Sequence, residues 1–118
     1  MMKVVLDTGP LGQIAHPKAD KRNEEITEWF KTLLGEGVQV LIPEISDYEL
    51  RRNLVLEGLQ ASLEKLNELE QVLPYLPLTT DVMHRAADFW AEVRKKGQST
   101  ADRHALDGDA ILAAQAVS

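Results

Sequence analysis

At 118 residues and 13.2 kDa, with 44% hydrophobic and 27% charged residues, the chain has the composition of one folded domain rather than of a disordered or fibrous segment. It has no cysteine, which excludes a disulfide framework, a thiolate zinc site and a cysteine nucleophile, and makes a reducing, cytoplasmic compartment the expectation. No apolar stretch approaches the roughly 20 residues that span a bilayer and the N-terminus lacks a signal-peptide pattern, so no membrane partner is expected, and a net charge of −6 argues against binding a polyanion through a basic surface alone.

The charge is uneven. Residues 24–70 hold 11 acids and 4 bases, whereas residues 81–104 hold 4 acids, 5 bases and two histidines. A nucleic-acid ligand is compatible with this balance if a cation neutralises the negative surface locally.

Val4-Val5-Leu6 is a short apolar run that stops at Asp7 before Thr8-Gly9-Pro10, the pattern of a buried strand feeding a sharp turn. Over residues 20–34, Ile26, Trp29, Phe30, Leu33 and Leu34 recur at helical spacing, with Gly35 and Gly37 as the stop. Residues 38–42 predict a second strand, and Pro43 opens a helix running through Leu50 and Leu54 towards Gly58. Leu59, Leu63, Leu66, Leu69 and Leu73 mark a third helix that needs a partner surface for its stripe and ends before Pro74. Residues 75–79 predict a short strand with Pro77 near an edge or end, and residues 81–96 an amphipathic helix closed by Gly97. A polar loop over residues 98–106 then leads through Asp107-Gly108-Asp109 into an alanine-rich helix. This βαβααβαα order predicts an α/β fold, one domain with a parallel sheet covered on both faces and a ligand site beyond the carboxyl ends of its strands.

With 19 acids in the chain, position has to distinguish a site from coincidence. Asp7 stands at a predicted strand end, where capping the turn that follows is the simpler role. Glu49 shares a helix face with Ile45, Arg52 and Leu56, so an acid occupies a stripe partly turned to the core; pairing with Arg52 at i+3 is the alternative. Glu44 and Asp47 suit the first turn of the same helix. Asp107 reads as a cap of the last helix. Asp109 is less easily dismissed, because Ala110, Ile111, Leu112, Ala113, Ala114 and Ala116 make that helix apolar nearly all round, and carboxylates buried at strand ends must be protonated, paired or metal-bound.

The segments VVLDTGPLG, IPEISDYELRRNL and LDGDAILAAQA, in this order and at these separations, resemble three blocks of the PIN-domain family, the fold of VapC-type toxin ribonucleases. The resemblance implies a three-layer α/β/α fold with a parallel sheet. It places the family's metal-binding and catalytic acids on Asp7, Glu49 and Asp109, with Mg²⁺ or Mn²⁺ as cofactor. It also implies RNA as substrate and, if the chain is a toxin, a small antitoxin protein as a partner, with an orphan nuclease as the alternative; a homodimer is expected as well. The family pattern continues beyond the small-residue helix into another strand and a loop with a Thr-Asn or Thr-Asp element, while this sequence ends at Ser118, so residues 1–118 are expected to be either a shortened PIN-like domain or one incomplete at its C-terminus.

The chemistry suits the acids. Phosphodiester hydrolysis needs a deprotonated water and charge neutralisation on the phosphate, both of which a hard cation on oxygen ligands supplies. Thr8 is expected to hydrogen-bond a ligand or phosphate, and Arg51, Arg52 and Arg103, neighbours of the acids in sequence, to contact substrate phosphates. His16, His84 and His104 are scattered and expected at the surface, and Trp29, Phe30, Phe89 and Trp90 in the core rather than against bases. The rivals are a catalytically silent PIN-like module that binds nucleic acid, or a protein partner through the leucine stripe over residues 59–73, and a phosphotransfer domain using Asp7 as nucleophile.

Overall fold

The computed structural model describes residues 2–18, 20–97 and 103–117, with side chains of the last segment from residue 108 onward. The element order is β1 (Lys3–Val5), α1 (Thr8–Ile14), α2 (Lys21–Gly35), β2 (Gln39–Pro43), α3 (Glu44–Glu57), α4 (Gln60–Val72), β3 (Tyr75–Leu76), α5 (Thr80–Lys95) and α6 (Arg103–Val117). Among the described residues this is a mostly helical α/β protein with one parallel sheet, consistent with a three-layer α/β/α fold. It divides into two compact units, Met1–Leu76 and Pro77–Ser118.

The sheet lies in the first unit, in the order β1-β2-β3. Lys3, Val4 and Val5 pair with Gln39, Val40 and Leu41, and Ile42 and Pro43 with Tyr75 and Leu76. Val40, Leu41 and Ile42 of the central strand are all buried, and since successive side chains point to opposite faces, both faces of the strand are covered. The Leu6 amide donates to Leu41 O at 3.1 Å, so pairing with β2 continues to the residue before Asp7. β3 is shorter than the sequence suggested: Pro77 has no N–H to donate, and the strand ends before it.

Leu6, Leu11, Ile14, Phe30, Val40, Ile42, Leu54, Leu66 and Leu73 build the core of this unit, with Leu50, Leu63 and Leu69 packed against it. The leucine stripe of α4 is therefore used on the unit's own core, while Leu59, the residue before the helix, stays exposed.

The turn expected at Thr8-Gly9-Pro10 is the first turn of α1. Pro10 is tolerated there because its missing N–H belongs to the amides that have no acceptor within the helix. Gly12 admits α3 closely, since a Cβ at that position would stand 3.3 Å from Leu50 Cδ1. At the far end of α3, Gly58 takes the left-handed conformation, φ 67°, and returns its N–H to Leu54 O. The buried side of α3 runs through Ser46, Leu50 and Leu54; Ile45 is buried beside it, but Arg52 and Leu56 face solvent. Two leucines four residues apart outweigh a stripe that offered one leucine and two charges.

In the second unit, Thr79 Oγ1 accepts from the Val82 amide at 3.2 Å and starts α5, which packs on α6 through Val82, Ala86 and Ala114 with Leu78, Phe89 and Ile111 around them. α6 begins at Arg103, so Asp107 and Asp109 lie within the helix and the expected cap at Asp107 is not formed. Its alanine-rich surface is not buried all round either, because Ala113, Ala116 and Val117 are exposed. Residues 98–102 of the expected loop lie outside the described residues. Among the described residues no helix is long and apolar enough to cross a membrane.

Leu66 is fully buried and Leu56 is 82% exposed. In urea denaturation Leu66→Ala should lose about 2–5 kcal/mol and Leu56→Ala no more than about 0.5 kcal/mol. Equal losses would contradict this placement of the core.

Candidate functional site

Parallel pairing of β1 with β2 sends the chain out of both strands at the same end of the sheet. Asp7 and α1 follow β1 there, and α3 follows β2. Asp7 is exposed and caps α1, its Oδ1 accepting from the Thr8 amide at 2.7 Å. Glu49, half-buried in the second turn of α3, accepts from the Thr8 hydroxyl, Oγ1 to Oε1, at 3.4 Å. Thr8 thus touches both acids, one through its amide and one through its hydroxyl. The alternative pairing of Glu49 with Arg52 is not formed; the Arg52 guanidinium lies over the Tyr48 ring, 5.3 Å from its centroid.

Asp109 is exposed on α6 in the second unit, where with Phe89, Val93, Ala110, Ala113 and Val117 it lines a groove of about 320 Å³. Its expected burial is not observed. Among the described residues no three histidine, aspartate or glutamate side chains are grouped so as to hold a metal ion. The first unit offers two carboxylates and a hydroxyl, all oxygen donors, with Asp7 open to solvent. That donor chemistry fits a hard divalent cation and not a soft one.

Of the arginines expected at the substrate, Arg51 is engaged within the fold. Its Nη2 lies 3.0 Å from Asp47 Oδ1 and 3.1 Å from Glu70 Oε2, and its Nε donates to Asp47 Oδ2 at 3.3 Å. The side chains of Arg103, Asp107 and His104 lie outside the described residues. His16 and His84 are exposed as expected; Phe30 is in the core, but Trp29 is exposed. Trp90 is half-buried, with Arg94 stacked 4.7 Å from its ring centroid.

The Asp47–Arg51–Glu70 cluster was not foreseen. It lines a groove of about 420 Å³ with Asn67 and Tyr75. The i,i+4 spacing of Asp47 and Arg51 was a legible signal, whereas Glu70 arrives from α4, and only the fold brings it there. Burial, reinforced by the Asp47 carboxylate beside it, pushes Glu70 up to about 7 against the opposing pull of Arg51. Burial and the nearby Asp47, Glu44 and Glu70 carboxylates push the Tyr75 phenol up to about 12. The hydrogen bonds that Arg51 donates to the Asp47 carboxylate raise its guanidinium above the ordinary value.

A carboxyl group raised by folding holds its proton in the native state at pH values where the unfolded chain has released it. Glu70 therefore contributes stability that is full below about pH 4.5 and is lost as pH rises through about 7. In urea denaturation at pH 5 and pH 8, Glu70→Gln should gain stability relative to the wild type at the higher pH. An equal difference at both pH values would contradict this.

The sequence model of the PIN domain matches residues 4–118. No curated protein and no solved structure matches the chain. PIN domains are generally nucleases that use divalent metals and act on nucleic acids, and on a match of this extent the chain belongs to the PIN-domain family.

Proposed function

We propose that the chain is a Mg²⁺- or Mn²⁺-dependent endoribonuclease that hydrolyses phosphodiester bonds in single-stranded or looped RNA, with Asp7, Glu49 and Asp109 as its metal-binding and catalytic residues. The observation that carries this is the position of Asp7 and Glu49 on either side of Thr8, at the end of the sheet where α/β proteins bind ligands. When bound, the cation supplies an activated water and neutralises charge on the phosphate.

The chain's own residues supply placement. Asp7 is set by the end of β1 and by its cap on α1; Glu49 is carried by α3 and held by Thr8. Asp109, on α6 of the second unit, is the third acid that the resemblance names. Arg52, exposed on the face of α3 that carries Tyr48, contacts the substrate phosphates, and Arg103, whose side chain lies outside the described residues, is the second arginine assigned to them by its place in the sequence. Arg51 is left to the fold, since Asp47 and Glu70 hold its guanidinium. RNA rather than DNA follows from the likeness to VapC-type toxins, as does a small antitoxin that occupies the site; the cysteine-free composition is the ground for a cytoplasmic location, and a homodimer completes the proposal.

One observation favours a protein partner, with or without catalysis: α3 exposes the apolar side chains of Val55 and Leu56 together with Tyr48. A silent interaction module would use such a face as readily as a toxin.

Cleavage of a varied RNA pool separates the two. The nuclease should cut in Mg²⁺ or Mn²⁺ and stop with EDTA. It should also lose at least about 100-fold in Asp7→Ala, since removal of a group merely supporting a metal ligand typically costs about 10- to 100-fold. Cleavage that survives EDTA, or is unchanged in Asp7→Ala, would overturn the mechanism. Mn²⁺ binding without any cleavage would favour the interaction module.

A further inference from the structure

We propose that Thr8 is a positioning residue for the cation site: its hydroxyl fixes the Glu49 carboxylate while its amide ties down Asp7, so that one residue sets both acids at once. This rests on the proposed cation site at Asp7 and Glu49, and it replaces direct substrate contact as the role of Thr8.

The two acids come from segments far apart in sequence, and the hydroxyl contact spans 41 positions of chain. On the β1 side the geometry is rigid. Asp7 accepts the Thr8 amide at 2.7 Å, Thr8 is the first residue of α1, and its β-branched side chain has few rotamers. On the α3 side it is not. Glu49 is half-buried, so packing alone does not choose among the rotamers of a long side chain. Neither arginine next to it is paired with Glu49: Arg51 is held by Asp47 and Glu70, and the Arg52 guanidinium lies over the Tyr48 ring. The Thr8 hydroxyl, at 3.4 Å, is the donor that reaches across to Glu49.

A hydroxyl suits this task where an arginine would not. It orients one carboxylate oxygen, leaves the other free to ligate, and adds no positive charge to compete with a cation for the acid. At 3.4 Å the bond is longer than the usual 2.7–2.8 Å for O–H···O, so it adds little to the stability of the metal-free fold. The close approach of α1 to α3 at Gly12 and Leu50 keeps the hydroxyl within reach.

Mn²⁺ titration of the full chain, followed by electron paramagnetic resonance of the free ion, tests this with Thr8→Val, Thr8→Ser, Asp7→Asn and Glu49→Gln. Thr8→Val keeps the amide and the shape and removes only the hydroxyl. It should weaken Mn²⁺ binding about 10- to 100-fold, the range for outer ligand-supporting groups, with the metal-free melting temperature unchanged. Thr8→Ser, which restores the hydroxyl, should return binding to the wild-type value and serves as the control for folding. If Asp7→Asn and Glu49→Gln lose Mn²⁺ while Thr8→Val binds as the wild type does, the positioning role is overturned and the cation site stands. Equal losses in Thr8→Ser and Thr8→Val overturn the role of the hydroxyl. If the wild type fails to bind Mn²⁺, or Asp7→Asn and Glu49→Gln bind it normally, the underlying cation site falls and the inference with it.

Discussion

The parallel pairing of β1 with β2 is the constraint on which the site depends. Val4 opposite Val40 and Val5 opposite Leu41 fix the register, and the Leu6 amide on Leu41 O extends it to the last residue before Asp7. A slip of one residue would turn every side chain of β1 to the other face and take Asp7 away from α3. Burial of Leu6 next to the exposed Asp7 opposes such a slip, because a shift of one residue would turn Leu6 out of the core and a charged carboxylate towards it. Once the register is set, α1 and α3 start from neighbouring strands at one end of the sheet, and Gly12 lets them approach until Thr8 meets Glu49.

The first unit contains two acidic groups that differ in how their charge is answered. Asp47 and Glu70 share the Arg51 guanidinium in a partly buried groove, and the cost of burying a second carboxylate there leaves Glu70 holding its proton up to about 7. Asp7 and Glu49 meet an amide and a hydroxyl, which orient a carboxylate without cancelling its charge. The first group is closed by a resident cationic side chain. The second leaves its charge available, which is the property a cation site requires, and a bound ion would in turn permit a chain of net charge −6 to approach a polyanion.

Much of the fold was legible because β-branched runs and helix stops carry strong local signals. Val4-Val5, the segment ending at Ile42, and Gly58 after α3 all lie where pattern and backbone geometry place them. What escaped was set by tertiary context. Gly9 and Pro10 have the composition of a turn, yet in a first turn neither a missing N–H nor a flexible backbone prevents a helix. Of the α3 stripe, Ile45 and Glu49 turn towards the core as the sequence suggests, while Arg52 and Leu56 do not, because Leu56 and Leu50 are equally apolar in sequence and only the position of the core separates them. Asp109 was expected to be buried from the alanines around it, but small residues also serve where α5 packs closely on one side and solvent lies on the other. Asp7 and Glu49 were identifiable from their neighbours. Their shared contact with Thr8 was not, since it joins positions that only the sheet brings together.

The central claim is that Asp7, after the end of β1, and Glu49, in the second turn of α3, hold the cation. Anomalous diffraction at the manganese edge from crystals of the protein grown with Mn²⁺ tests it most directly. A manganese peak at direct ligand distance from the carboxylate oxygens of Asp7 and Glu49 is the predicted result. A peak between Asp47 and Glu70 with none at Asp7 and Glu49 would contradict it.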